Sequence, residues 1–146
     1  MLTIGSHLVS ADADSKILLW STVSQESLTP SKIKGTPHTT TITSIATDGV
    51  SLYSASIDGV LKKAMPKESG SSEFEYVAEK KFEGETIEGL VAGKEKVLVL
   101  WMHKNVLALV DSDSLESVKR VDTAATADFV SMAYSKATNE VWVGDK

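Results

Sequence analysis

The sequence predicts an all-β protein that is built from a repeated unit of about 44 residues. Short β-rich segments bounded by turn residues follow one another along the 146 residues. No window of a dozen residues has the apolar spacing of an amphipathic helix. In addition, the segment 10–20 aligns with the segment 54–64, so one pattern of two strands and a turn occurs twice. These observations favour a sandwich, a barrel or a propeller.

Thirteen segments have the composition of strands and are separated by turn residues. They cover residues 8–11, 16–21, 31–34, 41–47, 51–56, 60–64, 73–82, 87–92, 96–102, 106–111, 116–122, 129–134 and 140–143. The segment 97–102 is apolar on both faces, which indicates a strand that is covered on both sides. The segment 73–82 carries acids and lysines, which protect an exposed sheet edge from pairing with other chains.

The repeat period decides among the three architectures. A third, weaker copy of the pattern begins at His103, and the segment 141–145 matches 52–56. A period near 44 residues is typical of a four-stranded propeller blade, whereas a sandwich has no reason to repeat at that interval. We therefore expect about three blades of four antiparallel strands. Their approximate ranges are 1–35 (the remainder of a first blade), 38–83, 86–123 and 128–146 (the start of a fourth).

Three blades are too few to close a propeller, which typically has four to eight. The sequence therefore predicts an incomplete propeller and a fragment of a longer protein. An open stack of blades exposes apolar faces and unpaired strands, both of which promote association. We expect the isolated chain to form a homo-oligomer by strand or blade exchange. In this arrangement the C-terminal strands of one copy would complete the blade begun by the N-terminal strands of another.

Composition argues against several classes of partner. The formal net charge is −5, and the basic residues are scattered as short pairs such as Lys62–Lys63, so no basic stripe indicates a nucleic acid. The chain has no cysteine, which excludes disulfides, thiolate zinc sites and a cysteine nucleophile. Its longest apolar run, residues 97–102, is too short to span a membrane. Without a secretory signal at the N-terminus, the sequence predicts a soluble cytoplasmic protein.

The segment 10–20 resembles the Ser-Gly-Ser-x-Asp-x-x-(Ile/Val)-x-(Leu/Val)-Trp stretch of WD40 repeats. In that family four side chains form a hydrogen-bonded tetrad: a histidine before the innermost strand, a serine or threonine on the second strand, a turn aspartate, and a tryptophan on the third strand. The resemblance gives these structural places to Ser10, Asp14 and Trp20 in the first repeat, and to His38, Ser54 and Asp58 in the second.

Fewer of the tetrad positions carry the expected residue type in the third repeat than in the first two. Ala64 stands where the second repeat should have its tryptophan. In the third repeat Leu100, His103 and Leu109 occupy the serine, aspartate and tryptophan positions. We therefore assign no catalysis to these residues.

The repeats most resemble the second propeller of the actin-interacting protein 1 family. Three features support this resemblance: the run 52–60, the tryptophan-less blade that follows it, and the next blade, residues 89–110, which lacks WD signatures. The resemblance implies that the partners are actin filaments and ADF/cofilin, that the protein promotes disassembly of cofilin-decorated filaments, and that it belongs to the actin cytoskeleton. The alternative is a generic WD40 scaffold of another multiprotein complex.

Two acidic turns suggest calcium loops but lack the ligands. Counted from Asp12, an EF-hand loop needs Gly and Glu where Ile17 and Val23 stand. The stretch 111–113 fails as well, because Glu116 lies where Gly belongs. We expect both acidic stretches to be turns whose carboxylates accept backbone N–H bonds.

No other pattern indicates an active site. His7, His38 and His103 lie near strand ends without the ligand spacing of a zinc site. Neither a nucleophile elbow nor a phosphate-binding glycine loop is present. The sequence therefore predicts no enzyme activity, no metal and no cofactor.

The aromatic residues and one polar stretch complete the prediction. Trp20, Tyr53, Trp101 and Trp142 lie in predicted strands, so we expect them to pack in the core. We expect the polar stretch 67–72 to be a surface loop between strands.

Overall fold

The computed structural model describes residues 1–23, 29–69, 71–123 and 128–146. These residues form fourteen strands and one short 3₁₀ turn at His103–Asn105, which confirms the all-β prediction. Among the described residues, no helix is long and apolar enough to cross a membrane. The strands are β1 (Leu2–Ile4), β2 (His7–Ala11), β3 (Ile17–Ser21), β4 (Ser31–Lys32), β5 (Ile42–Thr47), β6 (Leu52–Ser56), β7 (Val60–Pro66), β8 (Phe74–Lys81), β9 (Ile87–Ala92), β10 (Val97–Met102), β11 (Val106–Asp111), β12 (Ser117–Asp122), β13 (Phe129–Ser135) and β14 (Glu140–Asp145).

The described strands form four antiparallel sheets in which each strand pairs with the next one in sequence. Sheet 1 contains β1–β4, sheet 2 contains β5–β8, sheet 3 contains β9–β12, and sheet 4 contains only β13 and β14. The first strands of successive sheets contact one another, β5 with both β1 and β9, and β9 with β13. The sheets therefore stand side by side like propeller blades, and they do not close into a ring.

Sheet 2 is covered on both faces because its side chains alternate along each strand. On β6, Leu52 packs toward sheet 1, while Tyr53 and Ala55 pack toward sheet 3. The cluster between sheets 1 and 2 contains Ile4, Val9, Ile17, Leu19, Ile33, Ile42, Leu52, Ala64 and Phe74. The cluster between sheets 2 and 3 contains Ala46, Tyr53, Ala55, Leu61, Ile87, Leu90, Leu98, Leu100, Met102, Ala108, Val110 and Leu115.

Strand β10 shows the same alternation one sheet further on. Leu98, Leu100 and Met102 join the cluster with sheet 2. Trp101 points the other way, toward sheet 4, and its ring centroid lies 6.1 Å from that of Phe129 on β13. The prediction of a strand covered on both sides is therefore confirmed.

The first sheet differs from the expectation. Its four strands include β1, which is absent from the thirteen predicted segments and pairs with β2. Strand β4 ends at Lys32, before the predicted residue 34, because Lys34 pairs with the next sheet. The Lys34 N–H donates to the Phe74 carbonyl at 2.8 Å, and the Tyr76 N–H donates to the Lys34 carbonyl at 3.0 Å.

The prediction that Trp142 packs in the core is wrong. This residue is 64% exposed, whereas Trp101 and Tyr53 are buried as expected and Trp20 is half-buried. Trp142 lies on β14, which pairs only with β13 among the described strands. A two-stranded sheet covers too little of this side chain to bury it.

Candidate functional site

A buried polar cluster lies where the β6–β7 turn meets the segment before β5. The His38 side chain is 4% exposed. Its Nε2 lies 2.8 Å from Ser54 Oγ and its Nδ1 lies 2.9 Å from Ser56 Oγ. Ser56 Oγ in turn donates to Asp58 Oδ1 at 2.6 Å. We call these four residues the His38 cluster.

The cluster fixes the histidine tautomer. The Asp58 carboxylate only accepts, so the Ser56 hydroxyl donates to it and accepts from an Nδ1–H. Nε2 is then the acceptor, and the Ser54 hydroxyl donates to it. The resemblance names His38, Ser54 and Asp58, and the structure joins them through Ser56, which the sequence analysis missed. Because side chains alternate along a strand, the two-residue spacing from Ser54 could have indicated that Ser56 faces the same side.

The surroundings keep the imidazole neutral. Burial and, after it, the neighbouring Lys62 ammonium lower the pKa of His38 to about 4. Burial alone would raise the pKa of Asp58, but hydrogen bonds, first of all from Ser56, lower it. At neutral pH the cluster therefore contains a neutral imidazole and an ionised carboxylate.

The His38 cluster does not have the geometry of a catalytic triad. In a Ser-His-Asp triad the carboxylate orients the histidine, which activates the serine. Here the serine lies between the histidine and the carboxylate, and Ser56 is fully buried. The arrangement can hold the turn in place but presents no nucleophile to a substrate.

The first repeat has only part of this arrangement. The Trp20 Nε1–H donates to Ser10 Oγ at 3.0 Å. Asp14 does not join this pair: its carboxylate lies in an exposed turn, 3.8 Å from Lys16 Nζ. The nearby Asp12 carboxylate accepts the Lys16 N–H at 3.0 Å, as expected for an acidic turn.

The third repeat has no such polar cluster among its described residues. Leu100 and Leu109 are apolar members of paired strands. His103 is exposed, and its Nδ1 lies 2.9 Å from Glu88 Oε1. The Asp111 carboxylate accepts the backbone N–H groups of Asp113 and Ser114 at 3.1 and 2.8 Å. In the part of the chain that is described, no group of three or more His, Asp or Glu side chains is arranged to hold a metal ion.

Two lysines of β7 are buried, which the sequence analysis did not anticipate. Lys62 and Lys63 are 4% and 7% exposed. Lys62 forms an ion pair with Glu79 and lies 5.4 Å from the Tyr76 ring centroid. Burial raises the pKa of Tyr76 to about 12.

Lys63 connects sheet 2 to sheet 3. Its Nζ donates to the Ser112 carbonyl at 2.9 Å and lies 3.3 Å from Asp113 Oδ1. Adjacent residues on a strand point to opposite faces, so two lysines on a central strand must each meet a neighbouring sheet. That signal could have identified both lysines from the sequence.

The comparisons with known proteins show the fold. The RRP9 WD40 repeats match with a TM-score of 0.64 and 18% identity, over 80% of this chain and 35% of that chain. U3-55K matches with a TM-score of 0.64 and 17% identity, over 80% and 36%. The computationally designed Ika8 protein matches with a TM-score of 0.73 and 15% identity, over 99% and 41%.

No protein-family model matches the sequence, and no curated protein matches it significantly. At identities of 15–18% the likeness shows the fold alone. The chain spans 35–41% of the length of these solved structures. It therefore has the fold of WD40-type β-propeller blades in an incomplete propeller.

Proposed function

We propose that the chain is part of a protein–protein interaction scaffold and that it has no enzyme activity. The observation that carries this proposal is the division of polar side chains between the interior and the surface. Four of the buried polar side chains, His38, Ser54, Ser56 and Lys63, bond to other parts of the same chain. All six residues of the outer strand β12 are exposed, so the surface left for function consists of outer strands and loops.

We further propose that the partners are actin filaments and ADF/cofilin, in the cytoplasm. This finer proposal is supported by the sequence resemblance of residues 52–60, of the tryptophan-less second blade and of the third blade without WD signatures. It implies that the protein acts on filament disassembly through surface contacts. The generic WD40 scaffold of another complex remains the alternative.

Cosedimentation with actin filaments, with and without cofilin, tests the finer proposal. We expect the chain to pellet with cofilin-decorated filaments and to pellet less with bare filaments. A spin without filaments is the necessary control, because self-association could pellet the chain by itself. Equal recovery with and without cofilin, or none in either pellet, would contradict the actin proposal and favour the generic scaffold.

A further inference from the structure

A surface cavity of about 390 Å³ lies at one end of the interface between sheets 1 and 2. The β1–β2 turn at Gly5 and Ser6 lines one side, and the β5–β6 turn at Gly49 and Val50 lines the other. Phe74 of β8 also lines it. Its volume falls in the range of ligand sites, about 300 to 1,000 Å³. It opens next to the apolar cluster that joins the two sheets.

His7 lines this cavity and lacks a hydrogen-bond partner among the described residues. It is 6% exposed, and its ring packs edge-on against Phe74 with centroids 6.2 Å apart. The other two imidazoles are both hydrogen-bonded, His38 to Ser54 and Ser56 and His103 to Glu88. Because His7 lines the cavity, a ligand there can bond to the donor or the acceptor of its ring.

The lining determines the charge of such a ligand. Among the lining residues only His7 can carry a charge, and Ile4, Val50, Met65, Pro66 and Phe74 provide apolar surface. Val50 is 60% exposed at the rim. The lining contains no carboxylate, lysine or arginine, so a charged group entering this cavity would lose water without gaining a permanently charged partner. The cavity therefore favours a neutral ligand.

We propose that this cavity binds a neutral segment of a partner protein, with one apolar side chain inserted beside Phe74 and one peptide unit bonded to His7. A neutral imidazole has one donor and one acceptor, and a peptide unit can form one hydrogen bond with it, either through its C=O to the donor or through its N–H to the acceptor. The choice of a protein segment rests on the proposed scaffold function. The cavity, its neutral lining and the unpaired imidazole do not depend on that function.

Titration with N-acetyl-leucine amide, followed by NMR of the His7 imidazole and the Gly5 and Val50 amides, tests the proposal. We expect saturable shifts at these three residues. N-acetyl-lysine amide and N-acetyl-glutamate amide should not produce them, because the lining offers no ion partner. 4-Methylpentan-1-ol, which has a similar apolar chain but no peptide unit, should bind more weakly than N-acetyl-leucine amide.

Two matched variants locate the binding. Val50→Glu places a carboxylate at the rim and should weaken binding about tenfold or more. Val118→Glu changes an exposed valine of β12, far from the cavity lining, and should leave binding unchanged.

Three results would overturn the proposal: no saturable shift, equal binding of a charged amide, or equal weakening by both variants. Equal binding of the alcohol would overturn the role of the peptide unit. This experiment uses no actin, so its failure is distinguishable from a failed cosedimentation.

Discussion

The charge state of His38 links the buried cluster to stability. In the unfolded chain an imidazole has a pKa near 6.5, and in the fold burial and Lys62 lower the pKa of His38 to about 4. Between these values the unfolded state binds more protons than the folded state. Stability therefore rises with pH in this window and is lost as the pH falls from about 6.5 to about 4.

We predict that acidification from pH 7 to pH 4 lowers the free energy of unfolding by about 2 to 3 kcal/mol through His38 alone. His38→Gln, which cannot titrate, should flatten this part of the profile. Urea denaturation across the pH range measures the effect. Asp48 and Asp58 act at lower pH, because each has a pKa below the ordinary 3.8 and loses its contribution only as the pH falls through that lowered value.

A further variant controls this prediction. Lys62→Met removes a positive charge that lowers the pKa of His38, so the pKa of His38 in the fold should rise. The loss of stability should still begin near pH 6.5, but it should end at a higher pH and be smaller. A His38→Gln profile that still falls steeply between pH 6.5 and pH 4 would show that another group is responsible.

At the scale of elements, the turn between β6 and β7 packs against the connection that leads from sheet 2 to sheet 3. Gly59 has φ +80°, and a Cβ there would lie 2.5 Å from the Glu85 carbonyl oxygen and 2.6 Å from that of Phe82. These two carbonyls belong to the connection between β8 and β9. Ser15 occupies the equivalent turn position in the first repeat with φ 66°, so a positive φ alone does not require glycine at this position. In the second repeat the close approach of the two carbonyls requires it.

We predict that Gly59→Ala costs about 3 kcal/mol or more, because backbone strain and overlap with two carbonyls add. Gly49→Ala is the matched control: its φ is +100°, but nothing lies within 4 Å of the new Cβ. It should cost only about 1 to 2 kcal/mol, from φ alone. Urea denaturation at one protein concentration compares the two, and equal costs would contradict the close approach at Gly59.

Local patterns predicted the elements well, and contacts between sheets explain what they missed. Thirteen strands followed from alternation and turn residues, which are properties of neighbouring positions. Strand β1, with three residues, is too short to show alternation. The bridging role of Ser56, the burial of Lys62 and Lys63, and the cavity beside His7 all depend on which sheets meet. A repeat period indicates that sheets are neighbours but not which side chains face each other.

At the scale of the whole molecule, sheet 4 differs from the other sheets because only two described strands form it. Among the described strands β14 has one paired edge only, and the exposed Trp142 and Val130 leave apolar surface on this sheet. Sheet 1 already has four strands. We therefore expect a second copy of the chain to pair with the free edge of β14 and not with sheet 1. Unpaired edges and exposed apolar side chains both promote association with another chain.

The mass of the chain in solution tests the incomplete propeller most directly. One chain has a mass of 15.7 kDa, and light scattering after size exclusion should give a discrete oligomer of two or more chains. Trp142→Glu should shift the mass toward one chain, whereas Val77→Glu, at an exposed valine of β8, should leave the oligomer intact. A stable monomer of the unaltered chain, with Trp142 exposed and no tendency to associate, would contradict the account of an open, unfinished propeller.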